Sequence, residues 1–138
     1  MAVINMQTMR YINLLDKESR VKTRNCFIYN NTIIFAVPGH LISRAIGHEA
    51  ANVRKIQEKL GKRVRIIPEA LGLQDVSKFI QNIVEPAKFK TLEINGNELI
   101  ITAGGTQNKA NLLGRNKRRY EELRQIVQDV FFLDLKII

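Results

Sequence analysis

Apolar positions three and four apart run from Met9 through Ile12 to Leu15, with Tyr11 and Leu14 beside them. This spacing predicts a helix over residues 8–17, with Thr8 as its cap. The period then shortens. Two apolar runs, residues 26–29 and Thr32-Ile33-Ile34-Phe35-Ala36-Val37, flank Asn30-Asn31. That pair tolerates positive φ, so the segment reads as two strands joined by a tight hairpin. Pro38-Gly39 interrupts the pattern, and a short helix over 40–46 carries Leu41, Ile42, Ala45 and Ile46 up to Gly47. A second helix over 49–60 sets Val53, Ile56 and Leu60 on one side, Gly61 stops it, and 63–67 closes as a strand.

After a junction at 68–72 the same order returns. A helix over 75–84 stops before Pro86, strands over 88–94 and 98–103 flank the turn Asn95-Gly96-Asn97, and a short helix over 107–113 meets Gly114. A longer helix from 117 to about 129 carries Tyr120, Leu123, Ile126 and Val127 and runs into Val130, and 131–137 closes as a strand. The glycines mark the repeat. Ala45-Ile46-Gly47-His48-Glu49-Ala50-Ala51-Asn52-Val53 and Leu112-Leu113-Gly114-Arg115-Asn116-Lys117-Arg118-Arg119-Tyr120 fall 67 residues apart, and at the same offset Thr32–Val37 falls opposite residues 99–104. This period is too long for a solenoid and fits two small tandem domains, 1–69 and 70–138. The expected fold class is α/β (α+β), each domain running helix-strand-strand-helix-helix-strand. A domain of roughly 70 residues buries only a modest core, so the halves are expected to share an apolar interface.

Charge narrows the partner. Twenty-two Lys and Arg against 13 Asp and Glu give +9, and a division after Ala70 leaves +7 in the first part and +2 in the second. Such an excess points to a polyanion, nucleic acid first, although basic chains also arise for solubility or assembly. With one cysteine and two histidines there is no intramolecular disulfide and no finger-like zinc set. No stretch approaches the roughly 20 apolar residues of a membrane span, and no continuous apolar segment opens the chain as a signal peptide would. A cytoplasmic protein is expected.

A glycine between two helices lets a backbone approach a phosphate closely, because no Cβ intervenes and helix-terminal N–H groups point outward. Alone it equally makes an ordinary helix–helix turn; its recurrence in the same six-element order favours the binding role. Cations gather beside both copies. Arg44, Arg54, Lys55, Lys59, Lys62, Arg63 and Arg65 share 22 residues with only Glu49 and Glu58, and Lys109, Arg115, Lys117, Arg118 and Arg119 lie in a stretch, 99–120, without an acid. Each cluster is either a phosphate-binding face or a solvated helix face. Cys26 opens an apolar strand and reads as a small buried residue, not a nucleophile. His48 lies within the first loop, where it could donate to a phosphate, and His40 near a helix start. Gly104-Gly105 with Gly114 makes neither a Walker nor a dinucleotide loop. The aromatic residues fit core spacing better than a stacking platform.

These residues resemble the KH family of RNA-binding domains, in its type II form, whose Gly-x-x-Gly loop clamps about four nucleotides of single-stranded RNA. Arg24-Asn25-Cys26, Ala45-Ile46-Gly47, Asn52-Val53-Arg54, Leu60-Gly61-Lys62-Arg63-Val64 and Glu85-Pro86-Ala87-Lys88, with two tandem copies, are similar to the archaeal NusA-type transcription factors. The resemblance implies single-stranded RNA binding in transcription termination or antitermination, without cofactor, metal or catalysis, by a monomer. It also implies an apolar groove for bases, with Ile46, Val53 and Ile66 in one copy and Leu113, Tyr120 and Leu133 in the other as groove or underlying core. The RNA-binding residues it points to are Arg44, Gly47, His48, Arg54, Lys55, Lys62 and Arg63, then Gly114, Arg115, Asn116, Lys117, Arg118 and Arg119. Both loops depart from the family pattern: Gly47-His48-Glu49-Ala50 and Gly114-Arg115-Asn116-Lys117 each lack the second glycine. A non-Gly residue held left-handed there costs roughly 1–2 kcal/mol, or else the loop takes another shape. The alternative is a degenerate module whose basic surface docks on RNA polymerase or the ribosome without sequence-specific RNA binding.

Overall fold

A computed structural model describes residues 5–138. Its fold is mixed α and β, with six α-helices and two three-stranded sheets among the described residues. The chain divides into two compact units, Met1–Gly72 and Leu73–Ile138.

In the first unit, α1 (Met6–Ser19) starts earlier than the apolar period indicates. Asn5 is the cap: its Oδ1 accepts from the Thr8 amide at 2.9 Å, and Thr8 Oγ1 accepts from the Asn5 amide at 3.0 Å. Thr8 therefore closes a reciprocal capping box from within the first turn instead of opening the helix. β1 (Asn25–Tyr29) and β2 (Thr32–Val37) pair antiparallel across Asn30 and Asn31, whose φ values of 48° and 60° are both left-handed, as this tight turn requires. A 3-10 turn (Gly39–Leu41), α2 (Ile42–Ile46), a second 3-10 turn (His48–Ala50) and α3 (Ala51–Leu60) follow. β3 (Arg63–Pro68) returns parallel to β2, with Thr32 opposite Arg63 and Val37 opposite Pro68. Cys26, Ile33, Phe35, Val37 and Val64 form a core with Tyr11, Leu15, Val21, Ala45 and Ile56. The opposite face of this sheet carries Phe27, Ile34, Ala36 and Ile67, also buried, so β2 is buried throughout with no alternation.

The second unit follows the same order. A 3-10 turn (Leu73–Asp75) and α4 (Val76–Val84) lead to β4 (Thr91–Asn95) and β5 (Glu98–Thr102), which pair antiparallel. α5 (Thr106–Leu113), a 3-10 turn (Arg115–Lys117) and α6 (Arg118–Phe131) precede β6 (Asp134–Ile137), which runs parallel to β5. Here the closing strand alternates, with Leu135 and Ile137 buried and Asp134 and Lys136 exposed. The closing strand begins at Asp134, not at residue 131, because α6 continues to Phe131, whose ring meets Phe79 edge-on at 5.6 Å. Phe132 then takes the left-handed cap position at φ 58°.

A single offset does not relate the two units. The hairpins match Thr32 with Glu98, the loops match Gly47 with Gly114, and the closing strands match Arg63 with Asp134. The spacing thus grows from 66 to 67 to 71 residues, the last step being the extra turn of α6, 14 residues against 10 in α3. Placing Thr32 opposite residue 99 is off by one in the strands. Such a slip exchanges the two faces of a sheet, and the buried Leu99 and Ile101 correspond to Ile33 and Phe35.

Candidate nucleic-acid interface

Each unit joins its two middle helices through a loop with the same backbone trace. Gly47 (φ 83°, ψ 169°) and Gly114 (φ 71°, ψ 177°) adopt a conformation open essentially to glycine alone. After one intervening residue two left-handed residues follow: Glu49 (φ 51°, ψ 36°) and Ala50 (φ 60°, ψ 28°) in the first loop, Asn116 (φ 56°, ψ 28°) and Lys117 (φ 58°, ψ 26°) in the second. The positions where a second glycine is missing are therefore held left-handed all the same. Hydrogen bonds close both loops, from the Ala50 amide to the Gly47 carbonyl at 3.1 Å and from the Lys117 amide to the Gly114 carbonyl at 3.2 Å.

A side chain from the following helix reaches back in each case. Asn52 Nδ2 donates to the Arg44 carbonyl at 3.1 Å, and Arg119 Nη1 donates to the Asn111 carbonyl at 3.0 Å. Both acceptors are in the last turn of the helix before the loop, whose terminal carbonyls lack partners within the helix. The same side chains pack onto the glycines. A Cβ on Gly47 would meet Asn52 Nδ2 at 2.8 Å and its backbone nitrogen at 3.0 Å, and one on Gly114 would meet Arg119 Cγ at 2.7 Å.

The loops differ in charge. Arg115, Asn116, Lys117 and Arg118 are all exposed and carry three cations with no acid among them. In the first loop His48 and Glu49 stand out in solvent, with Nε2 and Oε1 3.9 Å apart. Exposed Arg44 precedes this loop, and exposed Arg54 and Lys55 belong to the start of α3. Lys62 and Arg63 do not join them. They follow Gly61 at the far end of α3, whose ten residues rise roughly 15 Å, and Arg63 lies opposite Thr32 beside the hairpin turn. Lys59 is bound elsewhere: its Nζ donates to Glu18 Oε1 at 2.7 Å, and that hydrogen bond holds the Glu18 carboxyl below its ordinary value. Arg119 is half-buried in its loop contact, whereas the sequence places it with the exposed cations. No signal in one copy reveals the roles of Asn52 and Arg119; comparing what stands five residues after each glycine would have raised the question.

The six groove candidates, Ile46, Val53, Ile66, Leu113, Tyr120 and Leu133, are all half-buried. Val53 and Ile66 pack on the first core, and the Tyr120 hydroxyl donates to the Leu135 carbonyl at 2.9 Å, which fixes its ring toward β6. Cys26 is buried, and desolvation pushes its thiol up to about 12. Among the described residues no group of three or more His, Cys, Asp or Glu side chains could hold a metal, and no helix is long and apolar enough to cross a membrane.

Two small α+β units, each with a glycine-led loop between its middle helices, are the frame for comparison with known proteins. No protein-family model matches the chain. It is similar to the probable transcription termination protein NusA of Halococcus morrhuae, 24% identical over 129 residues that make up 91% of this chain and 90% of that one. The protein of the same name from Methanococcus vannielii is 26% identical over 100 residues, 71% of this chain and 56% of that protein. The one from Methanocaldococcus jannaschii is 33% identical over 75 residues, 54% of this chain and 39% of that protein. A solved structure, the crystal structure of APE1850, shares the fold with a TM-score of 0.69 at 20% identity, covering 98% of this chain and all of that one. A low-identity relationship to archaeal proteins named NusA is thus present across most of the chain.

Proposed function

We propose that the protein binds single-stranded RNA through two tandem type II KH modules and acts, like the NusA proteins it resembles, in transcription termination or antitermination. The observation that carries this reading is the pair of loops: two sequences sharing only the leading glycine keep one strained backbone trace. Strain of this kind persists where the surrounding structure over-determines it, and it clusters at ligand-binding sites. In the second module the exposed Arg115, Lys117 and Arg118 supply charge for phosphates. The half-buried Leu113, Tyr120 and Leu133 supply apolar surface, which unstacked bases can cover and paired bases cannot. The first module contributes Arg44, Arg54 and Lys55, but places Glu49 where a phosphate would approach. This is binding chemistry and not catalysis, with neither cofactor nor metal, carried out by a cytoplasmic monomer.

Glu49 and the Lys59–Glu18 pair favour one further reading, in which the first module docks on RNA polymerase or the ribosome while the second holds RNA. Binding of short single-stranded RNAs at several salt concentrations tests the proposal. Affinity should fall with salt, with a logarithmic slope of about 0.7 per phosphate contact. Absence of binding at low salt would leave the docking role for both modules.

A further inference from the structure

The strained loops need something to hold them, and the same device occurs twice. Residue 52 stands five places after Gly47, and residue 119 stands five places after Gly114. One is a neutral amide and the other a cation. Both donate to the carbonyl three places before the glycine, and both bring a side-chain atom to within 2.8 Å of where a glycine Cβ would be. Charge is not what they share; the bond and the packing are. A side chain that ties the end of one helix to the start of the next fixes the distance the loop must span. The two left-handed residues between them can then keep their conformation without a second glycine.

We propose that Asn52 and Arg119 are positioning residues that lock each loop in its ligand-competent shape, and that Arg119 serves RNA binding through this contact and not through its charge. The proposal rests on the RNA-binding reading only for its second clause. It adds that the two residues are exchangeable: asparagine at 119 should reach the Asn111 carbonyl as Asn52 reaches that of Arg44, because the two loops share one trace.

The test uses the full chain and the variants Arg119→Ala, Arg119→Asn, Asn52→Ala and Lys117→Asn, each checked for folding by circular dichroism. Lys117→Asn removes a loop charge with a residue that tolerates the left-handed conformation. Two readouts are needed: amide hydrogen exchange at Ala50 and Lys117, whose N–H groups close the loops, and affinity for a random-sequence 12-nucleotide single-stranded RNA. Losing the tie should speed exchange at Lys117 about tenfold in Arg119→Ala, and at Ala50 to a similar degree in Asn52→Ala. Arg119→Asn should restore slow exchange and most of the RNA affinity that Arg119→Ala loses. Lys117→Asn should weaken RNA binding with slow exchange retained. If Arg119→Asn and Arg119→Ala lose RNA equally while exchange stays slow in both, Arg119 acts by charge and the proposal is overturned. If wild-type protein binds no RNA, the RNA-binding reading fails, and exchange alone decides whether the two side chains hold the loops.

Discussion

At the scale of single residues, the two loops contain positions that demand glycine and positions that would only profit from it. Gly47 belongs to the first kind: φ is 83°, and a Cβ would press within 3.0 Å of the Asn52 backbone nitrogen, which cannot swing away. Gly47→Ala should therefore lower unfolding stability by about 2 kcal/mol or more, from backbone strain and the forced shift together. Ala50 belongs to the second kind, a non-glycine residue held left-handed at φ 60° and ψ 28°. Ala50→Gly should raise stability by about 0.5–1 kcal/mol, the relief of left-handed strain less the extra entropy of an unfolded glycine. Denaturant unfolding of both variants checks the pair, and equal effects of the same sign would refute this account of the loop. The glycines were legible in the sequence because they recur. The left-handed state of Ala50 and Lys117 was one of two outcomes the missing glycines left open, and that of Glu49 was not legible, since Ala, Lys and Glu carry no mark of it. The roles of Asn52 and Arg119 stayed hidden because a polar residue at a helix start reads first as solvated, or in Arg119's case as charge.

At the scale of elements, legibility followed how completely local chemistry determines a boundary. β2 was placed correctly at Thr32–Val37 because an asparagine pair and Pro38 bracket an unbroken apolar run. The relative register of β5 was not, since Leu99-Ile100-Ile101 is apolar on both faces and shows no phase. Nor was the end of α6, where Val130 and Phe131 continue the helical period into what looks like strand composition. The contact between α1 and α3 was also invisible, because Glu18 and Lys59 lie 41 residues apart. Its consequence is a dependence on acid. The Glu18 carboxyl is depressed first by the hydrogen bond from Lys59, so the stabilisation is fully present above its ordinary value near 4.5 and is lost as pH falls through the depressed folded value. Glu18→Gln should accordingly unfold more easily than wild type at neutral pH and equally easily at about pH 2. Thermal melts across that range check the sign, and a gap that widens toward acid would contradict it.

At the scale of the whole molecule, the charge excess of +9 predicts a polyanionic partner but does not say which surface meets it. The structure divides the cations unequally. Lys59 is paired with Glu18, Lys62 and Arg63 stand at the far end of α3, and Glu49 occupies the tip of the first loop. In the second loop Arg115, Lys117 and Arg118 face solvent together with no acid among residues 115–118, the nearest in sequence being Glu121 in the first turn of α6. A nucleic acid that neutralises several phosphates releases condensed counterions, so the salt slope counts the cations in contact. Replacing Arg115 and Lys117 together by Asp should then weaken RNA binding more than His48→Asp does, and should reduce the slope by about 1.4, two contacts at 0.7 each. The folded loop should survive, because Asp accepts the left-handed conformation that Lys117 occupies. His48→Asp adds an acid beside Glu49 but removes no permanent charge, so its slope should stay near that of wild type. Affinities of the three proteins measured against salt, with intact circular dichroism spectra, decide the matter. Equal slopes for all three would remove the second loop from the RNA contact and favour docking on an acidic protein surface.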